Sequence, residues 1–351
     1  METTPFFFDL TPDEVKEALA SLGEPPYRAN QIWEGFYQKL AKNPQEITSL
    51  SKALRTQLAE KLAFTHLTEV TRLVSKDKRT VKTLFTLPDG KAVEAVLMRY
   101  EERNTLCISS QSGCAMNCVF CATGQMGFGR NLSSGEIVEQ VLYYARELAE
   151  SSQVVTNIVV MGMGEPFHNY DAVLAAIQRL NDPKGFSLGA RRFTISTVGI
   201  LPGIERFTES KLQVNLAVSL HAANDELRSS LLPANRKYPL ANLMAVCRTY
   251  VEQTHRRITF EWALIQGVND SDKDAEELAA LVAGLLCHVN IIPLNATQKY
   301  AGKTTTQERA AAFQAVLTAK GIPCTIRLRR GIEINAGCGQ LAATLQPPTP
   351  A

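Results

Sequence analysis

Cys114, Cys118 and Cys121 fall in the run Gly113-Cys114-Ala115-Met116-Asn117-Cys118-Val119-Phe120-Cys121, a C-x3-C-x2-C spacing. Three thiolates at this spacing can ligate three irons of a [4Fe–4S] cube. The fourth iron is then open to bind and reduce a small molecule. A structural zinc site is the rival reading. It asks for a fourth Cys or His at short spacing. No His lies between residues 67 and 167, and Cys107, seven residues upstream, is the nearest further cysteine. A second candidate is Gly162-Met163-Gly164-Glu165-Pro166, where the run TNIVVMG ends. Its two glycines permit close backbone approach to a ligand, and Glu165 can accept from an ammonium group. Cys338 stands in the glycine-rich stretch NAGCGQL, a setting that suits a mobile thiol. Cys247, Cys287 and Cys324 sit in apolar or strand-like contexts and read as small buried hydrophobes, with Tyr250, Trp262 and the methionines as core.

The elements that must hold these residues are legible from periodicity. Residues 1–63 read as a small helical unit. In it DLTPDEVKEALASLG has a Thr-Pro-Asp-Glu start and a Gly stop, followed by YRANQIWEGFYQKL and SLSKALRTQLAEKL. Residues 64–104 switch to β-branched and alternating runs broken by Ser-Lys-Asp-Lys and Pro-Asp-Gly, the pattern of a small antiparallel sheet acting as a β connector. From 105 to 345 strand and helix alternate. The strands read as TLCISS, TNIVVMG, RFTIST, LQVNLAVSL, RITFEWALI, HVNIIPL and PCTIRLR. That alternation implies parallel strands with right-handed crossovers, hence an α/β core. About six repeats favour a partial (β/α)6-type barrel over a full (β/α)8 one, with active residues on loops at the C-terminal strand ends. The tail, 346–351, is expected to be disordered.

Composition sets outer bounds. The chain has 351 residues, 45% of them hydrophobic, enough for one large domain and a smaller one. No apolar run reaches about 18 residues, and the N-terminus turns acidic where a signal peptide needs a basic flank, so a cytoplasmic location is expected, away from membranes. Net charge is +2 and announces no nucleic-acid binder. Lys76, Lys78, Arg79 and Lys82, with Arg327, Arg329 and Arg330 near the C-terminus, form the clearest basic clusters, which on charge alone read as solvated faces. No amphipathic seam stands out, so a monomer is expected.

The C-x3-C-x2-C run resembles the signature of the radical SAM superfamily, in which the open iron chelates S-adenosylmethionine. The segments Cys107-Ile108-Ser109-Ser110-Gln111, Cys121-Ala122-Thr123-Gly124 and Cys338-Gly339-Gln340-Leu341 narrow the resemblance to the RlmN/Cfr family of radical SAM RNA methyltransferases. The N-terminal YRANQIW is similar to that family's small helical RNA-binding domain. The likeness spans nearly the whole chain. Gly337 departs from the alanine common in the family and is expected to loosen its loop.

The resemblance implies two molecules of S-adenosylmethionine per turnover. One methylates Cys338 by displacement. The second supplies the radical that removes hydrogen from the S-methyl group, and the resulting methylene radical adds to an electrophilic adenine carbon. Glu94 matches the family's proton acceptor and Cys107 its resolving cysteine, which releases the protein–RNA adduct as a disulfide. The residues matching S-adenosylmethionine contacts are Gly164, Glu165, Ser196, Ser219, Leu220, His221 and Asn295. The implied substrates are an adenine C2 in the peptidyl-transferase region of 23S rRNA and the adenine next to the anticodon in tRNA, with a flavodoxin-type reductant. Cfr-type C8 methylation is the near rival; GFGRNL and the long helical N-terminus favour C2. A metal-stabilised RNA-binding protein without catalysis would need neither Cys338 nor Glu94. A radical SAM activase or small-molecule enzyme would not need the N-terminal helices.

Overall fold

The computed structural model describes residues 4–343; the tail expected to be disordered lies outside them. Three helices come first: α1 (Pro12–Ala20), α2 (Tyr27–Tyr37) and α3 (Lys52–Lys61). α1 begins where Thr11 Oγ1 accepts from the Glu14 amide and Glu14 reaches back to the Thr11 amide, a reciprocal cap that satisfies two free donors. Phe7, Phe8, Phe36 and Phe64 stack beneath them as an aromatic core. This unit is tied to the rest of the chain: Asp9 Oδ1 accepts from the Gly135 amide at 2.7 Å, and the Trp33 indole donates to Asp182 at 2.9 Å.

Next come β1 (Thr68–Val74), β2 (Thr80–Thr86) and β3 (Ala92–Arg99), an antiparallel meander. β4 (Asn104–Cys107) pairs antiparallel with β3. A short hairpin of β5 (Gln111–Gly113) and β6 (Phe128–Asn131) encloses the five-residue helix α4 (Ala122–Met126). The alternating part follows as α5 (Ser134–Ala149), β7 (Asn157–Val160), α6 (Tyr170–Asn181), β8 (Phe193–Thr197) and α7 (Leu201–Glu209). It continues through β9 (Asn215–Ser219), α8 (Asp225–Leu231), α9 (Leu240–Thr254), β10 (Ile258–Leu264) and α10 (Asp272–Leu281). It ends with β11 (Cys287–Pro293), α11 (Gln307–Ala319) and β12 (Cys324–Ile326).

One ten-stranded sheet results, in the order β1-β2-β3-β4-β7-β8-β9-β10-β11-β12. Its last seven members are parallel, with six crossovers. β1 and β12 are its edges, so the sheet does not close on itself and the barrel is partial. The α/β expectation holds, with one difference. The meander is not a separate connector sheet, because β3 continues into the core sheet through β4. Pairing of β3 with β4 depends on register between strands, which periodicity within a strand does not carry. Among the described residues no helix is long and apolar enough to cross a membrane.

Candidate active site at the strand ends

The cysteine run forms the loop between β5 and α4. Gly113, at φ +80°, starts it, and a Cβ there would lie 2.1 Å from the Gly127 carbonyl. The Cys114 amide donates to that same carbonyl at 2.8 Å. The backbone therefore folds tightly enough that only glycine fits. Cys114, Cys118 and Cys121 all line one cavity of about 960 Å³, part of it open to solvent. Burial pushes the Cys114 thiol up to about 12 and Cys118 well above its ordinary value.

The opposite walls come from the C-terminal ends of β7 to β11. Gly164, Glu165, Ser196, Ser219, His221 and Asn295 all face this cavity. Leu220 does not: strand alternation turns Ser219 to the cavity and Leu220 into the core, where it is fully buried. Gly162 and Gly164 serve a purpose the sequence reading did not foresee. A Cβ on Gly162 would lie 2.7 Å from the Ile108 carbonyl, and one on Gly164, at φ +104°, would lie 2.6 Å from Gln111 Cβ. They seat the segment after β4 against the segment after β7, and the cavity is on their other side.

Glu165 is buried, and its carboxylate accepts from the Val198 amide at 2.8 Å and the Phe167 amide at 3.0 Å. Desolvation still outweighs these bonds and lifts the carboxyl to about 7 from 4.5. The sign of its effect on stability follows. The folded chain holds this proton more tightly than the unfolded chain, so the contribution is complete below about pH 4.5 and is lost as pH rises through about 7. Glu165→Gln should flatten that part of the fall in stability of the cofactor-free protein, worth about 3 kcal/mol; denaturant unfolding from pH 4.5 to 8 reads it. A variant parallel to wild type across that window would show that burial does not set this carboxyl.

His221 sits at φ +60°, just beyond β9, and its Nδ1 accepts from the Ala263 amide at 2.8 Å. The ring proton is therefore on Nε2. Burial first, and then Arg228, pull its pKa down to about 3, so the ring is neutral. Arg228 is itself fully buried and joins strand ends, donating to the Val198, Ser219 and Leu220 carbonyls and to Asn235 Oδ1.

Cys338 opens into this cavity and also into a second one that Cys107, at the end of β4, lines. The segment around Cys338 is pinned, not loose. Asn295 Nδ2 donates to the Cys338 carbonyl at 3.1 Å, and the Ala122 amide of α4 to the Gly339 carbonyl at 2.7 Å. Thr123 Oγ1 donates to the Leu341 carbonyl at 2.6 Å. Gly337 does not loosen the loop as expected: a Cβ there would lie 2.6 Å from Asn295 Nδ2, so the glycine permits close packing. Glu94, on β3, is buried, with Oε2 accepting from the Ala342 amide at 2.8 Å and Oε1 from Lys82 Nζ at 2.8 Å.

Five residues not singled out for the site in sequence line it or support it: Lys82, Arg327, Glu261, Met116 and Met161. Lys82 was grouped with a solvated basic face, but its side chain is 9% exposed and pairs with Glu94 at 7%. Lys82→Met leaves that carboxylate buried and unpaired, which should cost about 3–5 kcal/mol in denaturant unfolding, most of it recovered in Lys82→Met/Glu94→Leu. A loss under 1 kcal/mol in the single variant would refute this. Arg327, from the C-terminal cluster, faces Cys338 and stands 3.9 Å from Glu261. Glu261, a charge inside the apolar strand ITFEWAL, was the signal available in sequence; Asn290 donates to it at 2.9 Å. Met116 and Met161, read as core, line the cavity instead. Cys247 and Cys287 are buried as expected, Cys324 partly so.

Comparison with known proteins agrees in detail. Residues 108–279 match the radical SAM superfamily, and residues 7–63 match the ribosomal RNA large subunit methyltransferase N-terminal domain. A probable dual-specificity RNA methyltransferase RlmN of Chloroflexus aurantiacus is 49% identical over 346 residues, covering 95% of this chain and 92% of that protein. Dual-specificity RNA methyltransferase RlmN 1 of Myxococcus xanthus is 45% identical, covering 98% and 96%. The chain belongs to the RlmN family. It is a radical SAM RNA methyltransferase. The crystal structure of a radical SAM methyltransferase from Sphaerobacter thermophilus superposes with a TM-score of 0.95 at 51% identity, covering 97% of this chain and all of the other.

Membership in the RlmN family brings a [4Fe–4S] cluster and S-adenosylmethionine, and the residues present suit both. Among the described residues, no three His, Cys, Asp or Glu side chains are grouped as ligands of a single metal ion. A cube asks for a looser arrangement, each thiolate binding its own iron. Cys114, Cys118 and Cys121 offer that donor set on one cavity wall. Glu165 offers buried carboxylate lone pairs beside them.

Proposed function

We propose that this enzyme methylates C2 of an adenine in the peptidyl-transferase region of 23S rRNA and of the adenine next to the anticodon in tRNA, working in the cytoplasm as a monomer with a flavodoxin-type electron donor. The observation that carries the reading is Cys338, whose thiol opens both to the cavity of the three loop cysteines and to that of Cys107. That the relatives are dual-specificity RNA methyltransferases by name supports two RNA substrates.

Cys114, Cys118 and Cys121 hold the cluster; Gly164, Glu165, Ser196, Ser219, His221 and Asn295, with the Leu220 backbone, surround S-adenosylmethionine. When bound, these two groups supply a hydrogen-abstracting radical, and a further S-adenosylmethionine supplies the methyl. Cys338 takes that methyl by displacement, losing its thiol proton, and later presents the activated carbon to the adenine ring. Burial pushes the Cys338 thiol above its ordinary value, and Arg327 beside it offsets part of that rise, in favour of the thiolate that displacement requires. Glu94, paired with Lys82, accepts the ring proton; two oxygens offer about four lone-pair sites, so two bonds leave room for a third. The unpaired electron that radical addition leaves on the ring passes to the flavodoxin-type partner, and Cys107, as the thiolate, then attacks Cys338 Sγ. The S–S bond forms as the C–S bond breaks, its electron pair passing to the methylene carbon, which takes a proton and becomes methyl. Two electrons restore the thiols.

Peptide mass spectrometry of anaerobically purified enzyme given methyl-labelled S-adenosylmethionine tests this. Labelled methyl on the Cys338 peptide, absent in Cys338→Ala together with RNA methylation, is the expected result. An unmodified Cys338 in cluster-loaded protein that still methylates RNA would overturn the reading.

A further inference from the structure

Barrel interiors are ordinarily packed with layers of branched apolar side chains. The N-terminal half of this concave face is not. Thr194 pairs with Asn215 and Glu261 with Asn290, while Thr259 stands beside the small Ala217, so adjacent strands present polar side chains at neighbouring levels. Thr194, Asn215, Thr259 and Asn290 line a further cavity of about 1260 Å³, wide open to solvent. Its mouth lies at the starts of β8, β9 and β10, the end opposite the cysteine loop.

Three arginines stand at that mouth: Arg191 just before β8, and Arg256 and Arg257 just before β10. Among the described residues none of the three is in an ion pair. Arg256 is oriented by neutral groups, donating to Gln213 Oε1 and Asn215 Oδ1 at 2.8 Å each. The one carboxylate in the cavity, Glu261, is at its inner end and faces Arg327. Glu261, Met161 and Arg327 also line the cavity into which Cys338 opens. Mouth and thiol therefore share one continuous face of the sheet.

The geometry points to this mouth as a phosphodiester-binding site through which the substrate RNA delivers a single unstacked nucleotide to Cys338. The inference rests on the proposed RNA methylation and adds the route and the contacts. Chemistry on a base needs the nucleotide extruded from its stack, and the flanking phosphates are then left at the entrance. Guanidinium forks match those phosphates, and neutral amides and hydroxyls behind them suit ribose and base edges without repelling a polyanion. A polar, uncovered interior is the passage that such a nucleotide needs.

The test compares two charge-matched pairs with a transcribed 23S rRNA fragment as probe, in cluster-loaded full-length enzyme. One pair is Arg191→Gln/Arg257→Gln at the mouth. The other is Lys273→Gln/Lys303→Gln, in the first turn of α10 and in the loop between β11 and α11, beyond the C-terminal strand ends. Each phosphate contact to a single strand contributes about 0.7 to the slope of log affinity against log salt. The arginine pair should lower that slope by about 1.4 and weaken binding at least tenfold at physiological salt. Labelling of the Cys338 peptide, which needs no RNA, should match wild type. The lysine pair should leave slope and affinity unchanged. A slope lost with the lysine pair and kept with the arginine pair would overturn the route, as would unchanged RNA affinity in both. Failed Cys338 labelling in wild type would instead strike at the methyl-carrier reading, which the RNA-binding measurement does not touch.

Discussion

Cys107→Ala should leave the enzyme joined to its RNA. Cys107 ends β4 between Val96 of β3 and Val159 of β7, held on both sides by the sheet, and it lines the same cavity as Cys338. Burial pushes its thiol up to about 12, so it is inert until drawn on by its neighbours. Without it the methyl-carrying sulfur has no partner to form a disulfide with, and the carbon–sulfur link to the base persists. Denaturing gels of a reaction with labelled RNA should show a stoichiometric band that survives reductant and disappears with nuclease, while multiple turnover falls on the order of 10⁴-fold. Cys107→Ala protein that turns over normally and carries no RNA would remove Cys107 from the mechanism.

Cys118→Ala should abolish RNA methylation and the iron content together. Each loop cysteine holds its own iron in the proposed cluster, so two thiolates leave a cube that is not retained. The matched control is Cys247→Ala. Cys247 is fully buried in α9 as a small hydrophobe, and its replacement should keep the iron and the activity at a stability cost of about 1 kcal/mol. Iron analysis and visible absorption of anaerobic protein separate the two. Full iron in Cys118→Ala would refute the assignment of that thiol.

Much of this was readable along the chain, because local spacing carries local chemistry. Cys114 to Cys121 announce themselves within eight residues, and the Thr-Pro-Asp-Glu start marks where the first helix begins. Seven strands could be counted because each is an apolar run between helices. What could not be read depends on chain segments meeting at a distance. Lys82 pairs with Glu94 across the β2–β3 ladder, and Arg327 meets Glu261 from strands 66 positions apart, so each looked like an ordinary surface or stray charge. Leu220 shows a finer limit. Three consecutive residues match S-adenosylmethionine contacts, yet a strand turns alternate side chains to opposite faces, so the Ser219 and His221 side chains line the cavity while that of Leu220 is in the core.

The bonds from Ala122 and Thr123 to the Gly339 and Leu341 carbonyls join the helix after Cys121 to the segment carrying Cys338. Whatever orders one end of that junction must favour order at the other by the same free energy. On the proposed roles, a cluster that orders the loop would by the same coupling help to order the segment that carries Cys338.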